Sequence, residues 1–113
     1  MYIIVGIHRP KPGQEQRVLE AIGKFGKAMQ GRKGLITFFL WKDDASGVIL
    51  GTALWNSKAD YETALPEMSK EVKMVDFESL ELSSEVYRGL SIGEPSVPNI
   101  LRGKKPKGLF HDK

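Results

Sequence analysis

The chain has 113 residues, of which 41% are hydrophobic and 27% charged, with a formal net charge of +3 and no cysteine. This size and composition predict one small globular domain, and the lack of cysteine excludes disulfides, thiolate metal sites and a cysteine nucleophile. The chain opens without a basic leader, and no segment approaches the roughly 20 apolar residues of a membrane-spanning helix, so we expect a cytoplasmic protein.

The first residues predict a strand followed by a helix. A β-branched run at 2–8 ends where prolines interrupt it, and apolar residues then recur at helical spacing from Gln14 to about Gln30. Gly23 and Gly26 lie within this predicted helix, where glycine costs roughly 0.5–1 kcal/mol relative to alanine. Both glycines therefore indicate a close approach of the helix to a sheet, unless they simply weaken the helix.

The middle of the chain predicts a hairpin that leads into a second helix. Residues 35–42 form a nearly continuous apolar run, which is typical of a strand covered on both faces. A loop at 43–47 connects it to a strand at 48–55, so the two strands should pair antiparallel. Ser57 then caps a helix, and Asp60 places a negative charge near the positive end of the helix dipole.

Pro66 falls inside the helical pattern that follows. Because proline lacks the backbone donor and clashes with the preceding turn, we predict two short helices, the second starting near Pro66 and running to about Met74. A last strand is predicted within 84–91, where Val86 and Arg88 share one face.

The end of the chain carries the excess positive charge. Residues 94–113 hold five of the 17 Lys and Arg residues, two of the 14 Asp and Glu residues, and three of the six prolines. We therefore divide the chain into a domain at 1–93 and a basic tail at 94–113, which is either a linker or an arm that crosses a partner subunit. The tail offers one aromatic residue, Phe110, and no stacking platform, so a nucleic-acid partner is not expected.

The element order is strand, helix, strand, strand, helix, strand. This is the α+β ferredoxin-like βαββαβ pattern, an antiparallel sheet with helices on one face. The two-sided apolarity of residues 35–42 requires cover on the second face, and the sheet of a second copy would provide it. A homodimer is therefore predicted.

On these features, residues 2 to about 91 resemble the dimeric α+β barrel superfamily, and within it the antibiotic biosynthesis monooxygenase domains. The resemblance is carried by the helix entry at Pro12-Gly13-Gln14-Glu15, by the hairpin, and by Trp55-x-Ser57-x-x-x-Tyr61. It implies two subunits whose sheets close into a barrel, each with a pocket between helices and sheet. Members of the superfamily differ in chemistry, from cofactor-independent oxygenation of aromatic polyketides to haem degradation, isomerisation and no demonstrated reaction.

The resemblance carries over to the site residues only in part. Trp55 and Tyr61 match the tryptophan and tyrosine that flank the pocket of the oxygenating members, whereas Gly51 stands where those enzymes have a substrate-orienting asparagine. The histidine that binds iron in haem-degrading members has no counterpart around 68–75, so haem degradation is not expected. The resemblance thus implies oxygenation without a cofactor, or ligand binding without catalysis.

His8 and Arg88 are the candidates that come from the residues themselves. His8 lies on the same strand face as Ile4 and Gly6, and a histidine there suits a base near neutral pH, although a solvated strand-end histidine explains it too. Arg88 interrupts an apolar strand face, which suits the binding of an anion or enolate, or a salt bridge with a partner subunit. His8 and His111 alone do not make a metal site, so no metal is expected.

The aromatic residues at the strand ends have two interpretations. Trp41 is interpreted as core or dimer-interface packing, whereas Trp55 suits packing and a pocket wall equally. The candidate catalytic residues are thus Trp55, Tyr61, Arg88 and His8. The first functional hypothesis is a cofactor-independent monooxygenase acting on an aromatic or polyketide-like small molecule. The second is a non-catalytic, small-ligand-binding or stress-related dimer of the same fold.

Overall fold

The computed structural model describes residues 1–72 and 76–93. Within these ranges the elements in chain order are β1 (Tyr2–Pro10), α1 (Glu15–Met29), β2 (Leu35–Lys42), β3 (Ile49–Trp55), α2 (Lys58–Val72), α3 (Phe77–Leu80) and β4 (Glu81–Leu90). The predicted tail at 94–113, with His111, and the predicted helix end at Met74 lie outside the described residues, so the domain division stays a prediction.

The predicted α+β ferredoxin-like fold is confirmed. The four strands form one sheet in the order β2-β3-β1-β4, and every neighbouring pair is antiparallel. The predicted hairpin is the β2–β3 pair. Of the described helices, none is long and apolar enough to cross a membrane.

The predicted helix break at Pro66 is wrong, because α2 continues through this residue. Pro66 and Glu62, whose carbonyl loses its helical partner at the proline, are both exposed residues of α2. Buried residues on both sides of the proline, Ala64 and Met68, keep the two halves on one packed face. Burial of the apolar stripe therefore outweighs the local cost of the proline.

β4 begins three residues before the predicted start at Ser84. It pairs along the whole of β1, and a register irregularity between Arg9 and Pro10 brings Pro10 opposite Glu81. The irregularity reverses the expected sides at this end of the strand, since Glu81 is buried whereas Leu82 is 69% exposed.

The core lies between the helices and one face of the sheet. Its buried side chains come from alternate positions of β3, from Tyr2 of β1 and from the inner faces of α1 and α2; the largest that are fully buried are Trp55, Ile49, Met68 and Val18. The predicted cap of α2 is confirmed, because the backbone nitrogen of Asp60 donates to the Ser57 hydroxyl at 3.1 Å.

The two glycines of α1 have different surroundings. A Cβ atom added at Gly26 would lie 2.5 Å from Cε2 of Phe38, so the predicted close approach to the sheet is confirmed there. A Cβ atom added at Gly23 would meet nothing within 4 Å, so the same prediction is wrong for Gly23.

The other face of the sheet carries no helix among the described residues. Phe39 and Trp41 of β2 are 47% and 45% exposed there, so Trp41 is not a core residue of the single chain. The Trp41 indole Nε1 donates to Oγ1 of Thr52 at 3.0 Å on the same face. We call this face, formed by the outward residues of all four strands, the outer face.

Candidate functional site

A cavity of about 280 Å³ lies between α1 and the part of the sheet formed by β3, β1 and β4. The sheet and α1 contribute most of its wall, with α2 and α3 each adding one aromatic ring. The lining residues are Ile4, Gly6, His8, Ile22, Phe25, Met29, Gly51, Ala53, Tyr61, Phe77, Glu81, Ser84, Val86 and Arg88. Most of this surface is apolar, as is typical of a site for a small organic molecule.

At the floor of the cavity the backbone of the sheet is bare, because two of the residues there are glycines. Gly6 of β1 and Gly51 of β3 pair directly across the sheet, and both line the cavity. The neighbouring pair on the same side is Ile4 and Ala53. Small residues at the centre of the sheet therefore leave a hollow under α1.

His8 and Glu81 form a hydrogen-bonded pair at one end of the cavity. Nδ1 of His8 contacts Oε2 of Glu81, whose side chain is 3% exposed. The ring of Phe77 packs against the imidazole with a centroid separation of 5.6 Å and an interplanar angle of 34°. The imidazole is thus fixed by a carboxylate on one edge and an aromatic ring on one face.

The opposite edge of the imidazole faces the cavity floor. Nε2 of His8 lies 3.1 Å from the position that a Cβ atom of residue 6 would occupy. Because Gly6 lines the cavity, Nε2 is directed over its floor, and it makes no hydrogen bond to a residue in the described ranges. A neutral imidazole in this orientation presents a proton acceptor to whatever occupies the cavity.

Glu81 is held where it is by the elements on either side of it. The carboxylate of Asp76 accepts a hydrogen bond from the backbone nitrogen of Ser79 at 3.3 Å, which begins α3. The backbone nitrogen of Lys11 donates to the carbonyl of Leu80 at 2.9 Å, which ties the end of α3 to the end of β1. Glu81 follows directly and enters the sheet beside His8.

Burial raises the pKa of the Glu81 carboxyl above its ordinary value of 4.5, and the attraction and hydrogen bond of His8 partly offset that rise. The second oxygen of the carboxyl, Oε1, is buried without a hydrogen-bond partner among the described residues. An ionised carboxylate with one unsatisfied oxygen is costly in such a place, which is why the pKa rises. His8 is the partner that makes the buried acid tolerable.

Arg88 lies towards the other end of the cavity. It pairs with Ile4, whereas His8 pairs with Ser84, so the two residues are four positions apart along the β1–β4 ladder, or about 13 Å of strand. Within 1–72 and 76–93, Arg88 makes no hydrogen bond or ion pair. Arg88 is exposed to solvent and places a cation beside a cavity whose surface is mostly apolar.

Tyr61 and Trp55 have different positions relative to the cavity. Tyr61 lines it, and its ring packs against Tyr2 at 5.6 Å and edge-on against Trp55 at 5.7 Å. Trp55 is 0% exposed, lies behind Tyr61 and is absent from the cavity wall. Its Nε1 has no hydrogen-bond partner among the described residues.

Three of the four candidate residues therefore surround one cavity, namely His8, Tyr61 and Arg88, while Trp55 supports the wall from behind. The residue that sequence reasoning missed is Glu81. Strict alternation back from Ser84 places Leu82 inside and Glu81 outside, and the register irregularity reverses this. No pattern in the sequence signals that reversal.

In the part of the chain that the structure describes, no group of three or more His, Asp or Glu side chains is arranged to hold a metal ion. The polar side chains that line the cavity provide an imidazole, a buried carboxyl, a phenol, a hydroxyl from Ser84 and a guanidinium. Such a set can hold an organic acid, move one proton and stabilise an anion.

No family model matches the sequence, and no curated protein matches it. Solved structures do match it. An asparagine-to-alanine variant of SnoaB, a cofactor-independent oxygenase from Streptomyces nogalater, is 12% identical with a TM-score of 0.67, covering 84% of this chain and 96% of that chain. The chain has the fold of antibiotic biosynthesis monooxygenase structures.

Two further structures have the same fold. A protein from Chloroflexus aurantiacus J-10-fl, classed as an antibiotic biosynthesis monooxygenase, has a TM-score of 0.62 at 17% identity, covering 85% of this chain and 97% of that chain. Rv0793 from Mycobacterium tuberculosis has a TM-score of 0.70 at 11% identity, covering 84% and 98%. The resemblance predicted from the sequence is thus confirmed at the level of this monooxygenase fold.

Proposed function

We propose that the protein is a cofactor-independent monooxygenase that oxidises a small hydroxylated aromatic compound in this cavity. The observation that carries the proposal is the orientation of His8, with Nδ1 on Glu81 and Nε2 over the cavity floor. A base that is oriented by a third group is the arrangement general-base catalysis requires. The likeness in fold to a cofactor-independent oxygenase supports the same class of reaction.

The size of the cavity narrows the class of substrate. At about 280 Å³ it lies at the lower limit of ordinary ligand sites, which begin at about 300 Å³. A compound with a single ring or with two fused rings suits this volume better than an extended polyketide does. 1-Naphthol, which has two rings and one acidic hydroxyl, is a suitable probe.

In the proposed reaction Nε2 of His8 takes the hydroxyl proton of the substrate, and Glu81 stabilises the imidazolium that results. The electron-rich anion reacts with O₂, and a carbon–oxygen bond forms at a ring carbon. The resulting peroxide anion takes the proton back from the His8 imidazolium. The imidazole then removes the hydrogen of that carbon as a proton while the O–O bond breaks, so that one oxygen atom remains as a carbonyl and the other leaves as hydroxide, which this proton converts to water. For 1-naphthol and O₂ the products are a naphthoquinone and water.

Arg88 and Tyr61 have binding roles in this proposal. Arg88 stabilises negative charge on the substrate anion, because it is a cation among the residues that line the cavity. Tyr61, held by Tyr2 and Trp55, provides a flat wall for the ring and a hydroxyl for a hydrogen bond. Trp55 acts by holding Tyr61 in place.

A second candidate function is ligand binding without catalysis. The observation that favours it is Gly51, since the lining residues include no asparagine or glutamine that would orient a substrate. Under this alternative the same small aromatic compound binds, but O₂ is not consumed.

Oxygen uptake with 1-naphthol distinguishes the two functions. The wild-type protein should consume O₂ and form quinone, and His8→Gln should slow the rate by about a hundredfold or more, since it removes the base. Arg88→Ala should also slow uptake, whereas Arg17→Ala on the exposed side of α1 is the matched control. Binding of 1-naphthol without any uptake above the buffer rate would contradict the enzyme and favour the binding protein.

We also propose that the outer face packs against the outer face of a second copy. Its polar side chains already satisfy one another: Trp41 donates to Thr52, and Glu85 accepts hydrogen bonds from Arg9 at 2.6 Å and from Tyr87 at 2.9 Å. Burial of this face would therefore leave few polar groups without partners. The exposed aromatic rings provide the apolar area that such an interface needs.

A further inference from the structure

Gly6 lines the cavity directly beside the imidazole of His8. A Cβ atom added there would meet the His8 ring, at 3.1 Å from Nε2 and 3.8 Å from Cδ2, and no other atom within 4 Å beyond its chain neighbours. Gly6 does not have a positive φ, so the backbone at this position does not require glycine. What glycine provides here is room beside Nε2.

Gly51 differs from Gly6, although the two residues pair across the sheet. A Cβ atom added at Gly51 would lie 3.5 Å from Leu40, 3.5 Å from Phe38 and 3.6 Å from Ile22, which are ordinary van der Waals contacts. Three side chains therefore surround the position at Gly51, whereas the His8 imidazole is the one neighbour of the position at Gly6 among the described residues. We call the surface of Gly6 beside this imidazole the seat.

The wall opposite this seat belongs to α1. Phe25 and Met29 line the cavity from the helix, and an aromatic ring and a thioether both make favourable contacts with an aromatic ligand. The lining of the cavity therefore combines bare backbone on the sheet side with these side chains on the helix side. A flat ring lies closer to bare backbone than a puckered, saturated ring with the same carbon skeleton does.

We propose that Gly6 is the specificity-determining position of the cavity: a flat ring lies on the bare backbone of Gly6, with its hydroxyl next to Nε2 of His8. This inference rests on the proposed function for the identity of the hydroxyl compound. It assigns to Gly6 both the selection of planar ligands and the space that lets the ligand reach the base.

The test is calorimetric binding without oxygen, with 1-naphthol and its fully saturated analogue decahydro-1-naphthol as probes. The wild-type protein should bind 1-naphthol at least tenfold more tightly than the saturated compound, which corresponds to about 1.4 kcal/mol. Gly6→Ala should weaken 1-naphthol binding by a similar factor, because the methyl group occupies the seat and displaces Nε2. Gly23→Ala, the same substitution at an open position of α1, should leave the affinity unchanged.

Gly51→Ala is the second variant, and it keeps the test decisive if Gly6→Ala does not fold. Its methyl group would make ordinary contacts with Leu40, Phe38 and Ile22, so Gly51→Ala should keep at least a tenfold preference for 1-naphthol over the saturated compound, and loss of that preference in this variant would overturn the role of Gly6. Equal affinity for the two probes, or a Gly6→Ala protein that binds 1-naphthol like the wild type, would overturn the inference.

The two proposals fail in different ways. If the flat ring is preferred but no O₂ is consumed, the monooxygenase is wrong and the role of Gly6 stands. If O₂ is consumed but the two probes bind equally, the role of Gly6 is wrong and the monooxygenase stands. If neither probe binds, both are overturned.

Discussion

His8 shows what alternation along a strand can predict about a single residue. Its position on the same face as Ile4 and Gly6 placed it on the helix side of the sheet, and the structure has it on the cavity wall. Arg88 and Tyr61 follow from the same reasoning, through strand and helix periodicity. The inward position of Glu81, by contrast, depends on a register irregularity that involves Pro10, 71 residues earlier in the chain. No local sequence pattern predicts that irregularity.

The raised pKa of Glu81 makes the stability of the fold depend on pH. A carboxyl whose folded pKa lies above the unfolded value of 4.5 favours the folded state below that pH and loses this contribution as pH rises through the folded pKa. Glu81→Gln stays neutral throughout. We therefore expect the free energy of unfolding of Glu81→Gln, relative to the wild type, to increase from pH 4 upwards.

Urea unfolding at several pH values between about 4 and 7 measures this difference. Glu78→Gln on the exposed side of α3 controls for the general effect of replacing a carboxylate. A difference between Glu81→Gln and the wild type that stays constant across the range, or that decreases with pH, would contradict the assigned direction of the pKa shift.

At the scale of elements, β1 to β3 and α1 could be predicted to within one or two residues, because their apolar periods are regular and their ends are marked by proline, glycine or a cap. α2 could not, since the local rule for Pro66 neglects the buried residues on either side of it. Likewise, a glycine inside a helix either lowers the stability of the helix or allows close contact with a neighbouring element, and the sequence does not distinguish these two cases. In α1 the two cases occur three residues apart, at Gly23 and Gly26.

The two glycines should respond oppositely to the same substitution. Gly23→Ala should raise the free energy of unfolding by about 0.5–1 kcal/mol, since the methyl group meets nothing and alanine favours the helix. Gly26→Ala should lower it by about 1–3 kcal/mol, because the methyl group overlaps the ring of Phe38. Chemical denaturation of both variants checks this, and changes of the same sign would show that α1 is not held against β2 as described.

At the scale of the whole molecule, the apolar outer face could be predicted from the unbroken apolar run of β2. A strand that is apolar on both sides needs two covers, and the helices provide one of them. Within the described residues no element provides the second cover, and Phe39 and Trp41 are exposed on that face. The sequence therefore predicts the need for a partner, and the described chain presents the surface for one.

The proposed dimer should dissociate when the outer face is charged. A dimer of the 12.6 kDa chain should sediment at about twice that mass, and Phe39→Glu should convert it to monomer, because each copy would bury an unpaired carboxylate. Ser69→Glu adds the same charge on the exposed side of α2 and should leave the dimer intact. A monomeric wild type at micromolar concentration, or a Phe39→Glu protein that still sediments as a dimer, would refute the interface.

The proposed function requires that Nε2 of His8 faces the ligand. His8 is the sole histidine of residues 1–93, and His111 is the other in the chain, so a His111→Gln protein gives a single pair of imidazole nitrogen signals. Nitrogen-15 NMR of this protein, titrated with 1-naphthol in the absence of oxygen, tests the claim most directly. The structure predicts that the Nε2 resonance shifts with saturation while the Nδ1 resonance, bonded to Glu81, moves much less. A titration in which 1-naphthol binds and Nε2 does not respond would contradict it.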